Sequence, residues 1–133
     1  MPDPNGPLPE NPYAVGLVRL KPGGALDATF SGDGKKVSIP LEDGVEIEDM
    51  VLAVDERLVV SGSSSTDGVF VARYKPNGAL DPTFGDGGSV VTLFPAPNGG
   101  IGTASAIQPN GRILVTAQHA DPDLDFAVAR YLP

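Results

Sequence analysis

The chain has 133 residues, 41% of them apolar, a formal net charge of −8 and no cysteine. That length and apolar share suit one folded domain with a core. The acidic balance speaks against nucleic acid, which needs clustered Lys and Arg to displace counterions, and against an anionic membrane surface. The lack of cysteine excludes disulfides and thiolate-bound zinc.

Residues 1–13, MPDPNGPLPENPY, show neither a basic start nor an apolar h-region, so they do not have a secretory signal's pattern. They read as a Pro-rich N-terminal arm. A strand is predicted over Val15–Leu20, followed by the turn Lys21-Pro22-Gly23-Gly24, where Pro presets φ and Gly accepts a positive value. Ala25-Leu26-Asp27, then Thr29-Phe30, lead to a Gly32-Asp33-Gly34 step and a short strand over Lys36–Ile39. An acidic stretch holds Glu42, Asp43, Glu46, Glu48 and Asp49. Paired carboxylates about 5–9 Å apart can hydrolyse a glycoside. Here Glu46 and Glu48 alternate with Val45 and Ile47, which reads as one wet strand face.

Met50–Val54 and Arg57–Gly62 read as strands around an Asp55-Glu56 turn, and the loop Ser63–Gly68 follows. Val69–Tyr74 has apolar residues at both parities, which suits a strand covered on both sides. The turn Lys75-Pro76-Asn77-Gly78, the segment Ala79–Phe84, a Gly85-Asp86-Gly87 step and a strand over Ser89–Leu93 come next. The loop Leu93–Gly102 precedes strands over Ser105–Gln108 and Arg112–Ala117, joined at Pro109-Asn110-Gly111, a short-hairpin signal. The last strand is Phe126–Tyr131. No run approaches the ~20 apolar residues of a membrane helix.

The chain repeats itself. Residues 17–30 (LVRLKPGGALDATF) and 71–84 (VARYKPNGALDPTF) share nine of fourteen positions, and a third copy opens at Val128-Ala129-Arg130-Tyr131. Arg19 and Arg73 are 54 residues apart, Arg73 and Arg130 are 57 apart, and Arg57 and Arg112 are 55 apart. On this reading the first copy carries one extra residue, Ser31. Each repeat holds about four short antiparallel strands, the size of a propeller blade or slightly more. The predicted architecture is all-β, with propeller-like four-stranded blades. About two and a quarter repeats are present: a partial blade at 14–44, a complete blade at 45–93 and a partial blade at 101–133. A closed propeller takes about 4–8 blades, so completion by oligomerisation or by a longer parent chain is expected.

Repeated residues are expected to be structural. Arg19 with Asp27, and Arg73 with Asp81, share a spacing of eight that suits a strand-to-turn ion pair. Arg130 opens the third copy, and Phe30 and Phe84 read as aromatic anchors of the turn. Residues that do not repeat are the candidates for binding. Asp121, Asp123 and Asp125 alternate as at the start of a calcium loop, without its Gly and distal Glu. His119, the single histidine, stands beside them. Phe94, flanked by Pro95 and Pro97, is a candidate apolar anchor on a loop. No phosphate loop, zinc motif or nucleophilic triad is present, and no cofactor other than a possible calcium ion is expected.

Residues 106–115 (AIQPNGRILV) and 70–85 (FVARYKPNGALDPTFG) together resemble the delta-60 repeat, a β-propeller-like bacterial repeat, and the likeness covers residues 14–133. Ala53-Val54-Asp55-Glu56 departs from the pattern, so that turn is expected to differ. The resemblance implies a scaffold, often within secreted or cell-surface proteins, and brings no catalytic residue to carry over. The expected function is a non-enzymatic module for protein–protein interaction or assembly, associating with itself in a ring or within a parent chain. A lectin-like carbohydrate-binding role is the alternative, and neither nucleic acid nor membrane insertion is expected.

Overall fold

The computed structural model describes residues 14–38, 44–64, 68–94, 100–119 and 126–133. These form nine strands in three antiparallel sheets. The first sheet pairs β1 (Val15–Val18) with β2 (Lys35–Ser38). The second is a four-stranded meander of β3 (Val45–Leu52), β4 (Leu58–Ser64), β5 (Val69–Tyr74) and β6 (Ser89–Thr92). The third joins β7 (Gly100–Ile107), β8 (Ile113–His119) and β9 (Phe126–Tyr131). Neighbours in sequence are neighbours in each sheet, and the Asn110-Gly111 turn joins β7 to β8.

The sheets stack as propeller-like blades, with apolar side chains filling both seams. The first seam joins Val15, Leu17 and Phe30 to Val60, Phe70, Ala72 and Tyr74 of the second sheet. The second joins Val59, Val69, Val71 and Phe84 to Ile113, Val115 and Ala117 of the third. Every residue of β5 is therefore buried. Its odd-numbered residues serve one seam and its even-numbered residues the other, because successive side chains leave opposite faces of a strand.

Two details differ from the sequence reading. Ser31 is not an insertion. Arg19 N donates to Gly34 O and Arg73 N to Gly88 O, so the two copies run in constant register. Ser31 (φ 53°) then occupies the left-handed place of Gly85 (φ 56°). The turn at Ala53–Arg57 also matches its counterpart at Gln108–Arg112. Glu56 N donates to Ala53 O at 3.0 Å and Gly111 N to Gln108 O at 2.8 Å. Glu56 adopts φ 62° where Gly111 adopts 80°, so the same turn is made with a residue that dislikes it.

The inner strands are longer than predicted. β3 takes in the acidic residues from Glu46 to Asp49, and β7 takes in Gly100 to Gly102. Each carries a β-bulge at the same repeat position, between Ile47 and Asp49 and between Gly102 and Ala104. The bulge breaks the alternation expected for the acidic stretch, so Glu46, Ile47 and Glu48 are all exposed.

Candidate functional site

The repeated residues form one constellation, built twice. Arg73 Nε meets Asp81 Oδ2 at 2.9 Å, and Arg73 Nη2 donates to Thr83 Oγ1 at 3.2 Å. Asp81 Oδ1 accepts from Thr83 N and Thr83 Oγ1. In the first copy Arg19 Nε meets Asp27 Oδ2 at 2.9 Å, Arg19 Nη2 donates to Thr29 Oγ1, and Asp27 Oδ1 accepts from Thr29 N and Oγ1. Each guanidinium lies 4.9 Å from a ring centroid, Phe30 or Phe84, a cation–π distance. The eight-residue spacing therefore makes an ion pair across the turn, and the threonine two positions later locks the carboxylate.

The copies differ in burial. Arg73 and Asp81 are buried, whereas Arg19 is half-buried, its side chain 37% exposed. A second guanidinium, Arg57 Nε, reaches Asp81 at 3.2 Å while its Nη1 meets Asp55 at 3.0 Å. Burial opposes ionisation at Asp81, but the Thr83 hydrogen bonds and the two arginines outweigh it and hold the carboxyl below the usual range. At Asp27 the Thr29 hydrogen bonds lead the same lowering.

Polar ties cross both seams. Tyr74 Oη donates to Ser38 Oγ at 3.2 Å, and the equivalent hydroxyls of Tyr131 and Thr92 lie 2.7 Å apart. Burial raises the pKa of both tyrosines. Arg19 Nη1 donates to the carbonyl of Pro76, in the turn after β5, at 3.0 Å, and Ser31 N donates to Asn77 O. Across the second seam Asp49 Oδ2 accepts from Ser105 N at 2.6 Å and from Ser105 Oγ at 2.9 Å. These bonds, chiefly the one from the Ser105 amide, lower the Asp49 pKa.

A cleft of about 330 Å3 opens between the β3–β4 turn and the β7–β8 turn. Val54, Ile107, Pro109 and Pro133 supply apolar wall, and Arg57, Arg73 and Asp55 supply the charged groups. Both arginines are matched by Asp55 and Asp81, so the cleft is suited to a neutral carbonyl more than to an anion. Arg19 holds such an acceptor in the Pro76 carbonyl.

Among the described residues, both ends of the stack carry exposed apolar side chains. Val18 and Val37 of the first sheet, and Leu20 and Leu26 in the connection between its strands, are exposed, Val37 by 71%. Their repeat equivalents Ala72, Tyr74, Leu80 and Val91 all contribute to the first seam. At the other end Phe126 is 81% exposed and Val128 is also exposed, although their equivalents Val69 and Val71 are fully buried.

Of the candidate binding residues, Phe94 and His119 lie within the described residues. Phe94 is half-buried and packs against the second apolar cluster rather than standing free on a loop. His119 ends β8, its backbone opposite Gly100. Asp121, Asp123 and Asp125 lie outside the described residues. Arg130 is exposed on the outer face of β9. Among the described residues, no three His, Asp or Glu side chains converge as a metal site. Sequence reasoning missed Arg57, Asp49 and the tyrosine ties. The 55-residue recurrence of Arg57 and Arg112 and the shared Arg-Tyr step were signals for the first and last, whereas Asp49 has no repeated counterpart, Ala104 standing at its position.

Fold and site together define a propeller-like repeat. Residues 10–30 and 55–84 match the family described as a domain of unknown function (DUF5122) beta-propeller. The matched segments contain both Arg-Asp-Thr-Phe constellations. No curated protein matches the chain, and no solved structure does.

Proposed function

We propose that the chain is a non-enzymatic repeat module of delta-60 type that serves as an assembly scaffold, binding protein through the end faces of its sheet stack. One observation carries this reading. Four apolar residues exposed on the first sheet occupy the positions that the second sheet buries in a seam. A face built to the same pattern as a buried one is a face awaiting a cover, and soluble monomers rarely leave large apolar patches open. The arginine constellations support a structural role, since each is saturated by its own aspartate and threonine. A glycan-binding role gains no support from the cleft, whose lining holds no aromatic ring on which a sugar could stack.

Absolute mass by light scattering behind size exclusion, over a concentration series of residues 1–133, tests the reading. A mass that rises above that of one chain is expected. A monomer at every concentration would overturn it.

A further inference from the structure

The two open faces are complementary, and we propose that copies of this chain dock head to tail, the outer face of β9 of one copy seating on the outer face of β1 and β2 of the next. This deepens the assembly reading and rests on it. The chain supplies two templates, because each internal seam joins the same pair of faces. The forward face carries positions 15, 17 and 19 of the first copy and 69, 71 and 73 of the second. In the first seam Val15 and Leu17 meet a face bearing Phe70, Ala72 and Tyr74. In the second, Val69 and Val71 meet one bearing Ala127 and Tyr131. The uncovered forward face is Phe126, Val128 and Arg130, and the uncovered receiving face is Gly16, Val18 and Leu20 with Val37.

Side-chain size changes sides at these free ends. The first seam sets Val15 in the forward face and Phe70 in the receiving face. The free ends set Phe126 forward and leave Gly16 to receive. The bulky ring has moved to one face, and the other has lost its side chain, so the ring of Phe126 would face the open space left by Gly16. Among the described residues, nothing accounts for Gly16. A Cβ there would meet nothing within 4 Å, its φ is not positive and β1 pairs with β2 without a bulge. A glycine inside a strand weakens it and marks a place where something approaches closely. Arg130 fits as well. Arg19 reaches across the first seam to the Pro76 carbonyl, and the same step from Arg130 leads to the Pro22 carbonyl of the next copy. The contact joins unlike faces, so it propagates until the rotation closes a ring or extends a filament.

Two single variants, Phe126→Asp and Val18→Asp, each disable one face and leave the other intact. Both side chains are exposed, so both variants are expected to keep the wild-type β-sheet circular dichroism. Each alone is expected to be a monomer by light scattering, and an equimolar mixture is expected to give a dimer containing one of each. Gly16→Phe alone should weaken association by about tenfold or more, and adding Phe126→Val should restore it by recreating the Val15–Phe70 pair. If the wild type assembles but each Asp variant still dimerises alone, like faces pair and the head-to-tail inference fails while the assembly reading stands. If Phe126→Val does not rescue Gly16→Phe, the inference fails on the same terms. A monomeric wild type removes both.

Discussion

β5 and β9 end in the same four residues, Val-Ala-Arg-Tyr, yet every residue of β5 is buried while β9 alternates between exposed and half-buried. The difference lies in what stands on either side. β5 has a sheet against each face; in the described structure β9 has one, at Ala127 and Tyr131. Identical local sequence thus makes a core strand in one place and a boundary strand in another, and burial is a property of position in the stack. The same holds for the arginines. Arg73 is enclosed with Asp81, Arg19 is half open with Asp27, and Arg130 is exposed.

The largest expected effect breaks the strand comparison directly. Phe70→Ala removes a fully buried ring from the first seam and should cost about 3–5 kcal/mol. Phe126→Ala, measured by urea unfolding at a concentration where the chain is monomeric, should change stability by less than about 0.5 kcal/mol. Comparable losses would show that β9 is covered in the monomer.

Asp81→Asn and Asp27→Asn sharpen the arginine comparison. Asp81→Asn leaves Arg73 buried without its counterion and should cost about 3 kcal/mol or more, with a clearly smaller loss for Asp27→Asn. Acid adds a second readout. Asp49 and Asp81 are held below the ordinary aspartate range, so the folded state binds fewer protons there than the unfolded state. Their contribution is complete above the ordinary range and is lost as pH falls through the lowered values. Melting temperature should hold from neutrality to about pH 5 and then decline below about pH 4. Asp81→Asn should flatten the decline, and an unchanged slope would deny Asp81 its part.

The smallest effect concerns the paired turns. Glu56→Gly should stabilise the chain by about 1 kcal/mol, because Glu56 holds a left-handed conformation that Gly111 adopts freely. Gly111→Glu should lose a similar amount. Equal melting points for wild type and Glu56→Gly would show that the side chain compensates for its strain.

The sequence showed the strands and turns well because each rests on local chemistry. Lys-Pro-Gly-Gly and Lys-Pro-Asn-Gly close the same turn, and Val69–Tyr74, apolar on both faces, announced a sheet on either side. The eight-residue Arg–Asp spacing was readable for the same reason, since a short hairpin fixes it. Ser31 misled because a serine in a glycine's conformation looks like an inserted residue. The bulges misled because alternation around Glu46 and Glu48 reads as a regular strand until one residue is left unpaired. Arg57 on Asp81 and Ser105 on Asp49 join residues 24 and 56 positions apart. Their meeting depends on how strands and sheets lie against one another, and no local period encodes it.

Gly62 of β4 and Gly102 of β7 have a consequence for geometry on a larger scale. A Cβ on Gly102 would collide with the Gly62 carbonyl oxygen, so at this point two backbones of adjacent sheets nearly touch. Farther out, Val69, Val71, Phe84, Ile113 and Val115 hold the same sheets apart by something near the ~10 Å usual for sheets in face-to-face contact. A stack pinched at its inner margin and propped at its outer one is a wedge, and wedges laid side by side turn through a fixed angle at each step. The absence of one methyl group, at Gly102, thus permits the pinch that curves the array, and with it how many sheets bring it back to its starting point.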